Sequence, residues 1–234
     1  MNASARRQMR IVAGLFVVGS LVIGALLYLC WPVVGLMFDG QRTGRYYSIP
    51  SQSMMPNLIP GDRVLPRRRQ PGEPTRGEVI VYRRTPDEVR VARVAAVGGD
   101  TIEMRGGFPW INGVAARRRE LGAGPTLDGN TRSLLYAERL PGERGSHRVI
   151  RMTIPGPFDD MPAAKVPPGT LFVLGDNRDQ AADSRAPVDE MGVGMVPIEQ
   201  VLGVIDYIAW SKVKGRMARP IDRRNPATSA GSGK

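Results

Sequence analysis

Two hydroxyls two residues apart, Ser51 and Ser53, stand in the stretch Ile49 to Leu65, IPSQSMMPNLIPGDRVL. A serine hydroxyl can attack a carbonyl carbon, and a second can donate to the oxyanion that forms, provided that both are held in place and a base removes the proton. The local sequence supplies the holding. Pro50 and Pro56 restrict φ on either side, and Gly61-Asp62 reads as a turn leading into Arg63-Val64-Leu65. An idle surface turn has the same composition, so the chemistry depends on partners elsewhere in the chain.

Two further stretches offer such partners. Gly175 to Arg185, GDNRDQAADSR, follows the apolar run Leu171-Phe172-Val173-Leu174, and strand ends are where sites are built. Here Asp176, Asn177 and Asp179 can cap their own backbone, and Asp183 and Arg185 are spaced for an ion pair that braces a loop; a solvated Asx-rich turn is the competing reading. A calcium loop fails on ligands, because Arg178 and Gln180 fall where Asp or Asn is needed and no glutamate closes the loop. Val89 to Asp100, VRVARVAAVGGD, reads as a strand running into a Gly-Gly-Asp turn.

The elements that must position these stretches are mostly β. Over 234 residues, 28 Gly and 20 Pro fit strands and turns better than a helical bundle, and 42% hydrophobic content is enough for a core. Strands are expected near Arg45 to Ile49, Arg63 to Leu65, Glu78 to Tyr82, Val89 to Val97, Thr101 to Met104 and Phe108 to Ile111. Later ones are expected near Arg148 to Ile154, Leu171 to Leu174 and Val201 to Ala209, with Asn112-Gly113 as a two-residue hairpin turn. Residues 117–161 are richer in Gly, Pro and Arg and read as an inserted, smaller region of the 39–214 domain. The basic tail, 215–234, has no apolar period and is expected to be disordered.

Charge and hydropathy point to a membrane. Arg6, Arg7 and Arg10 lie in the first ten residues, and 11–38 contain no charge until Asp39. That run exceeds the about 20 helical residues needed to cross ~30 Å of hydrocarbon and the about 7–15 apolar residues of a cleaved signal peptide. An uncleaved single-pass anchor is expected, with residues 1–10 in the cytoplasm and the domain outside. The net charge of +11 suits an anionic surface, and no zinc-finger spacing, helix-turn-helix pattern or aromatic RNA-binding motif points to nucleic acid. Arg67-Arg68-Arg69 and Arg117-Arg118-Arg119 read as headgroup contacts or as solvated loop charge. The one cysteine, Cys30, has no intrachain mate and says nothing of redox compartment.

In this order and behind an anchor, IPSQSMMPNLIPGD, VARVAAVGGD, TIEMRGGFPWINGVA and VPPGTLFVLGDNRDQAADSR resemble bacterial type I signal peptidases over most of residues 45–210. The resemblance implies a mainly β fold, a membrane-anchored coiled β domain with a smaller inserted β region. It implies a serine endopeptidase of the cytoplasmic membrane that removes signal peptides from exported precursors, with no metal or cofactor. By the same resemblance Ser53 corresponds to the nucleophile, Ser51 to the oxyanion-hole hydroxyl that joins the Ser53 N–H, and Asp183 with Arg185 to a supporting ion pair. The substrate would lie between the strand edges Arg45 to Ile49 and Val89 to Ala92 as an added strand. Ile49, Met54, Leu58 and Val91 match positions that line pockets for small residues, with plain core as the competing reading.

The departures from the family carry more information than the matches. The family's general base is a lysine just before the arginine that corresponds to Arg93, and that position is Ala92. A methyl group accepts no proton, and the Arg93 guanidinium stays protonated. The serine that orients the lysine corresponds to Ala181. Two absences at one contact fit a lineage that has lost the chemistry better than one engineered replacement. His147, the only histidine, and Lys165 are the candidates for a recruited base. Three functions compete: a signal peptidase much impaired or inactive, a non-catalytic homologue that binds signal peptides or exported proteins or assists an active paralogue, and a self-cleaving repressor. The last lacks its DNA-binding module.

Overall fold

The structure is a computed structural model and describes residues 19–26, 28–29, 42–72, 74–125, 131–190, 192–221 and the backbone of 223–224. The chain divides into two units, Met1–Gly40 and Gln41–Lys234. In the first, residues 19–26 and 28–29 are helical. The rest of the expected 11–38 anchor lies outside the described residues. Among the described residues no helix is long and apolar enough to cross a membrane.

The second unit is β throughout. Its first strands are β1 (Tyr47–Ser48), β2 (Arg63–Val64), β3 (Val79–Thr85), β4 (Glu88–Val97), β5 (Thr101–Arg105), β6 (Phe108–Ile111), β7 (Val114–Ala115) and β8 (Arg117–Ala123). The remainder are β9 (Ser133–Arg139), β10 (Gly145–Met152), β11 (Met161–Lys165), β12 (Thr170–Leu174), β13 (Val196–Pro197), β14 (Val201–Ile205), β15 (Ile208–Trp210) and β16 (Arg223–Arg224). They form four antiparallel sheets, ordered β13-β12-β4-β3-β14, β11-β5-β6-β7, β16-β10-β9-β8 and β1-β2-β15.

The first of these sheets is the spine. Val79 to Tyr82 and Ala92 to Ala96 are buried on both faces, so the strands read as continuous apolar runs rather than alternating ones. One face packs Ile80, Ala92, Val94, Leu171 and Val173, and the other face meets Ile49, Met54, Leu58 and Val64 through Val79 and Val81. The hairpin β6–β7 turns at Asn112 and Gly113, both at positive φ (52° and 77°), which is what a two-residue turn of this hand requires.

Two expectations change, at residues 201–209 and in the tail. The expected strand Val201 to Ala209 is two strands, because β14 pairs with β3 and β15 with β2, and the chain crosses between sheets at Asp206, whose carboxylate takes Arg42. Residues 117–161, expected as a smaller β region, hold the strands β8, β9 and β10. β8 escaped a pattern search because nearly all of it faces solvent and carries no period. The tail is not disordered from Gly215: Arg216 binds Asp62 at 2.7 Å, Ala218 N–H donates to the Ile208 carbonyl, and Ile221 is buried beneath the Met54 and Leu58 side chains' cluster. Apart from the β16 backbone, residues 222–234 lie outside the described residues.

Candidate active site

The loop that carries the two serines is tied down at both ends. Ile49 N–H donates to the Asp62 carbonyl and Gly61 N–H to the Ile49 carbonyl, while the Asp62 carboxylate accepts from Ile59 N–H. Leu58 N–H donates to the Met54 carbonyl, so the intervening residues make one tight turn. Met54 and Leu58 anchor it from below, at 1% and 0% exposure, with Ile49 at 3%. Ile49, Met54, Leu58 and Val91 therefore come together as one core cluster, with Val91 only partly buried at its margin, and they form the floor under the serines.

Above that floor Ser51 is exposed and Ser53 half-buried, with Oγ to Oγ 3.0 Å. Among the described residues this is the one hydrogen bond of the Ser53 hydroxyl, and nothing accepts the Ser53 backbone N–H. A free N–H and a neighbouring hydroxyl are the two donors that an oxyanion hole needs.

The Gly175 to Arg185 loop closes on the serine loop from the other side. The side chains of Asp176, Asn177 and Asp179, expected to cap their own backbone, bind other segments instead. Asn177 N–H donates to the Ser53 carbonyl at 2.9 Å and its Nδ2 to the Gln52 carbonyl at 3.2 Å. Asp176 pairs with Arg93 through two bonds of 2.7 and 2.8 Å, both side chains 1% exposed. Asn57 Nδ2 adds a third bond to Asp176 and also reaches the Arg148 carbonyl, each at 2.7 Å. Asp179 accepts from Met152 N–H. Asp183 accepts from Gly175 N–H and pairs with Arg185 at 2.9 Å, which joins the two halves of the loop.

Ala181 lies beside this junction, and Ala92 precedes Arg93 on β4. β4 and β12 pair Val94 with Val173 and end their ladder at Arg93 and Leu174, one residue before Gly175. A Cβ on Gly175 would strike the Ala181 methyl and come within 2.8 Å of the Ser53 carbonyl oxygen. Ala181 and the Ser53 backbone therefore crowd a glycine that must have no side chain. Ala92 is 4% exposed among Ile80, Val94 and Val173.

The two candidate bases are placed elsewhere. His147 is buried in β10 with Nδ1 2.9 Å from Glu143 and Nε2 3.2 Å from Glu138, so neither ring nitrogen is available to Ser53. Burial and the Arg93 charge both favour a neutral ring, but the two glutamates outweigh them and push its pKa up to about 9. Glu138 is opposed by burial too, yet Arg178 and His147 hold it down to about 2. Lys165 donates Nζ to the Gly99 carbonyl at 2.7 Å. Gly99 lies seven residues along from Ala92, or roughly 20 Å at ~3.3 Å per residue.

Both expected substrate edges are open. β1 is the outer strand of its sheet, and β4 is paired from Glu88 to Ala92 on the β3 side alone, since β12 joins only from Arg93 onward. Sequence reasoning passed over Asn57 and the Arg93–Asp176 pair, and assigned Asn177, which binds the two loops together, to its own turn. One signal was present: an arginine inside the run Val91 to Val97 must find a buried partner.

This arrangement can be compared with known proteins. The family model described as signal peptidase, peptidase S26, matches residues 22–210. A signal peptidase I of Pseudomonas fluorescens is 33% identical over 195 residues, which cover 72% of this chain and 66% of that protein. One of Aquifex aeolicus (strain VF5) is 29% identical over 215 residues, covering 76% of this chain and 80% of that protein. One of Bacillus caldolyticus is 30% identical over 166 residues, covering 70% and 78%. The chain thus spans just under two thirds of the Pseudomonas protein and rather more of the other two. It belongs to the signal peptidase (peptidase S26) family.

Proposed function

We propose that this chain keeps the family's precursor-binding framework but lacks its proton acceptor, so that it holds the signal-peptide region of exported precursors and hydrolyses it very slowly. The observation that carries this reading is the Ser53 hydroxyl itself, hydrogen-bonded only to Ser51 among the described residues, in a chain with alanine at positions 92 and 181. In this reading Ser53 stands at the nucleophile position. Its N–H and the Ser51 hydroxyl would stabilise the oxyanion, and Asp183 with Arg185 shapes the loop.

Binding draws on what remains. An extended peptide pairs with the open edges of β1 and the first half of β4, and its small side chains settle over the Val91 and Ile49 margin. The charge-free run at 11–38 anchors the chain in the cytoplasmic membrane, with the β domain on the outer side; three arginines before it support that orientation. Without a base, donors of this kind leave about 10³–10⁴-fold acceleration over water, far below an intact triad. Such a protein presents precursors or assists an active paralogue.

The test uses the full chain in detergent or lipid with a precursor ending in Ala-x-Ala. Saturable binding of the precursor is expected, with turnover far below the ~1–10³ s⁻¹ of ordinary enzymes. Cleavage at such rates, abolished by Ser53→Ala, overturns the reading.

A further inference from the structure

Away from the serines, four arginines from three chain segments border one cavity of about 110 Å³. Arg119 comes from β8, Arg148 from β10, and Arg216 and Arg219 from the segment after β15. Among the described residues no aspartate or glutamate lines it. We propose that this cleft is a binding site for a phosphate-bearing anion.

The first argument is electrostatic. Arg216 is compensated by Asp62 and fixed by a 2.9 Å bond to the Asn57 carbonyl. Among the described residues nothing pairs with the Arg119 or Arg219 side chains, which are exposed at the same opening. His147 forms part of the wall, but its ring is paired with Glu138 and Glu143 and adds no free charge. The two uncompensated guanidinium groups of Arg119 and Arg219 at one opening repel each other unless an anion sits between them. The second argument is shape. Guanidinium groups present paired N–H donors that match phosphate oxygens two at a time, which a compact ammonium does not. The cavity exceeds the ~10–15 Å³ that one water needs, and it is far too small for a nucleic acid strand.

The position gives the site a consequence. Pro56 and Asn57, the end of the serine loop, form part of the wall, and Asn57 also holds Asp176. An anion bound to Arg216 and Arg219 therefore sits two hydrogen bonds from the support of Ser53. The proposal stands whether or not Ser53 reacts. The phosphate can belong to a lipid headgroup or to a free phosphate, and the chemistry of recognition is the same.

The experiment is calorimetric titration of the full chain, in an uncharged detergent, with inorganic phosphate, glycerol 3-phosphate and a short-chain soluble phosphatidylglycerol. Saturable one-to-one binding is expected, weakened at least tenfold in Arg119→Gln/Arg219→Gln and unchanged in Arg68→Gln/Arg144→Gln, which removes two exposed arginines that do not line the cleft. Tighter binding of the phosphatidylglycerol, lost in the first variant, assigns a headgroup. Tighter binding of inorganic phosphate, lost in the same variant, assigns a free anion. If none of the three saturates, or if both double variants weaken binding equally, bulk positive charge explains the behaviour and the site does not exist.

Discussion

Restoring the missing pair is the most direct test of the site. Ala92→Lys places an amine beneath Ile80, Val94 and Val173, at a position now 4% exposed. Burial among apolar groups disfavours the ammonium and lowers its pKa, which is the state a base needs near neutral pH. General-base catalysis of this kind contributes about 10²–10⁴-fold. The opposing term is packing: a lysine in place of a methyl overfills the sheet face, at about 1–3 kcal/mol of stability. Ala181→Ser adds a hydroxyl across Gly175, where the Ala181 methyl already fills the space a Gly175 side chain would take. A hydrogen bond to a charged group is worth about 1.5–3 kcal/mol, or roughly 10- to 100-fold in rate if it acts only on the way to the transition state.

The assay is kcat/KM for cleavage of an Ala-x-Ala precursor by the parent, the two single variants and the double, each paired with its Ser53→Ala control. Super-additive recovery is expected, because the serine has a partner only when the lysine is present. Activity should rise with pH as the lysine loses its proton, since the neutral amine is the reactive form. Thermal unfolding of each protein separates poor folding from poor chemistry. If the double variant folds, binds the precursor and still matches its Ser53→Ala control, the lost lysine is not the principal defect and the reasoning fails.

Other outcomes follow from the framework. Arg93→Met leaves Asp176 buried with only Asn57, and urea unfolding should show a loss of about 3–5 kcal/mol, with a smaller loss when Asp176→Leu is added. Gly175→Ala forces a methyl against Ala181 and the Ser53 carbonyl and should cost about 1–3 kcal/mol in the same assay, part of it recovered by Ala181→Gly. His147, raised to about 9, contributes stability that is complete below its ordinary 6.5 and lost as pH rises through 9. Glu138, lowered to about 2, contributes stability present above its ordinary 4.5 and lost as pH falls toward 2. Unfolding midpoints across pH should show a plateau between these limits, and His147→Gln should remove the alkaline slope.

Much of the fold was legible because apolar runs and turn residues are local signals. The strands from Val79 to Ile111 and the Asn112-Gly113 turn lie where composition places them. β8 was not legible, since its arginines face solvent and leave no period to detect. The packing of residues 216–221 was hidden for the opposite reason: Arg216 and Ile221 stand alone in a polar stretch, and only their distant partners, Asp62 and the core over Leu58, give them a place. The serine loop was recognisable from its prolines. Its clamp by Asn177 and Asn57 was not, because an Asx side chain that serves a distant loop looks in sequence like one that serves its own turn.

The supports of the serine loop are independent of positions 92 and 181. The serine loop is held by Asp62 below, by Asn177 above and by Asn57 through Asp176 and Arg93. None of these bonds uses the side chain at position 92 or 181. A lysine buried there is a stability burden tolerated for its chemistry, since it sits in an apolar face with one hydroxyl for company. With alanine at both positions neither an amine nor a hydroxyl has to be satisfied there. The Gly175 contact, which leaves no room for a Cβ, keeps the Ser53 backbone against Ala181 whatever stands at position 92.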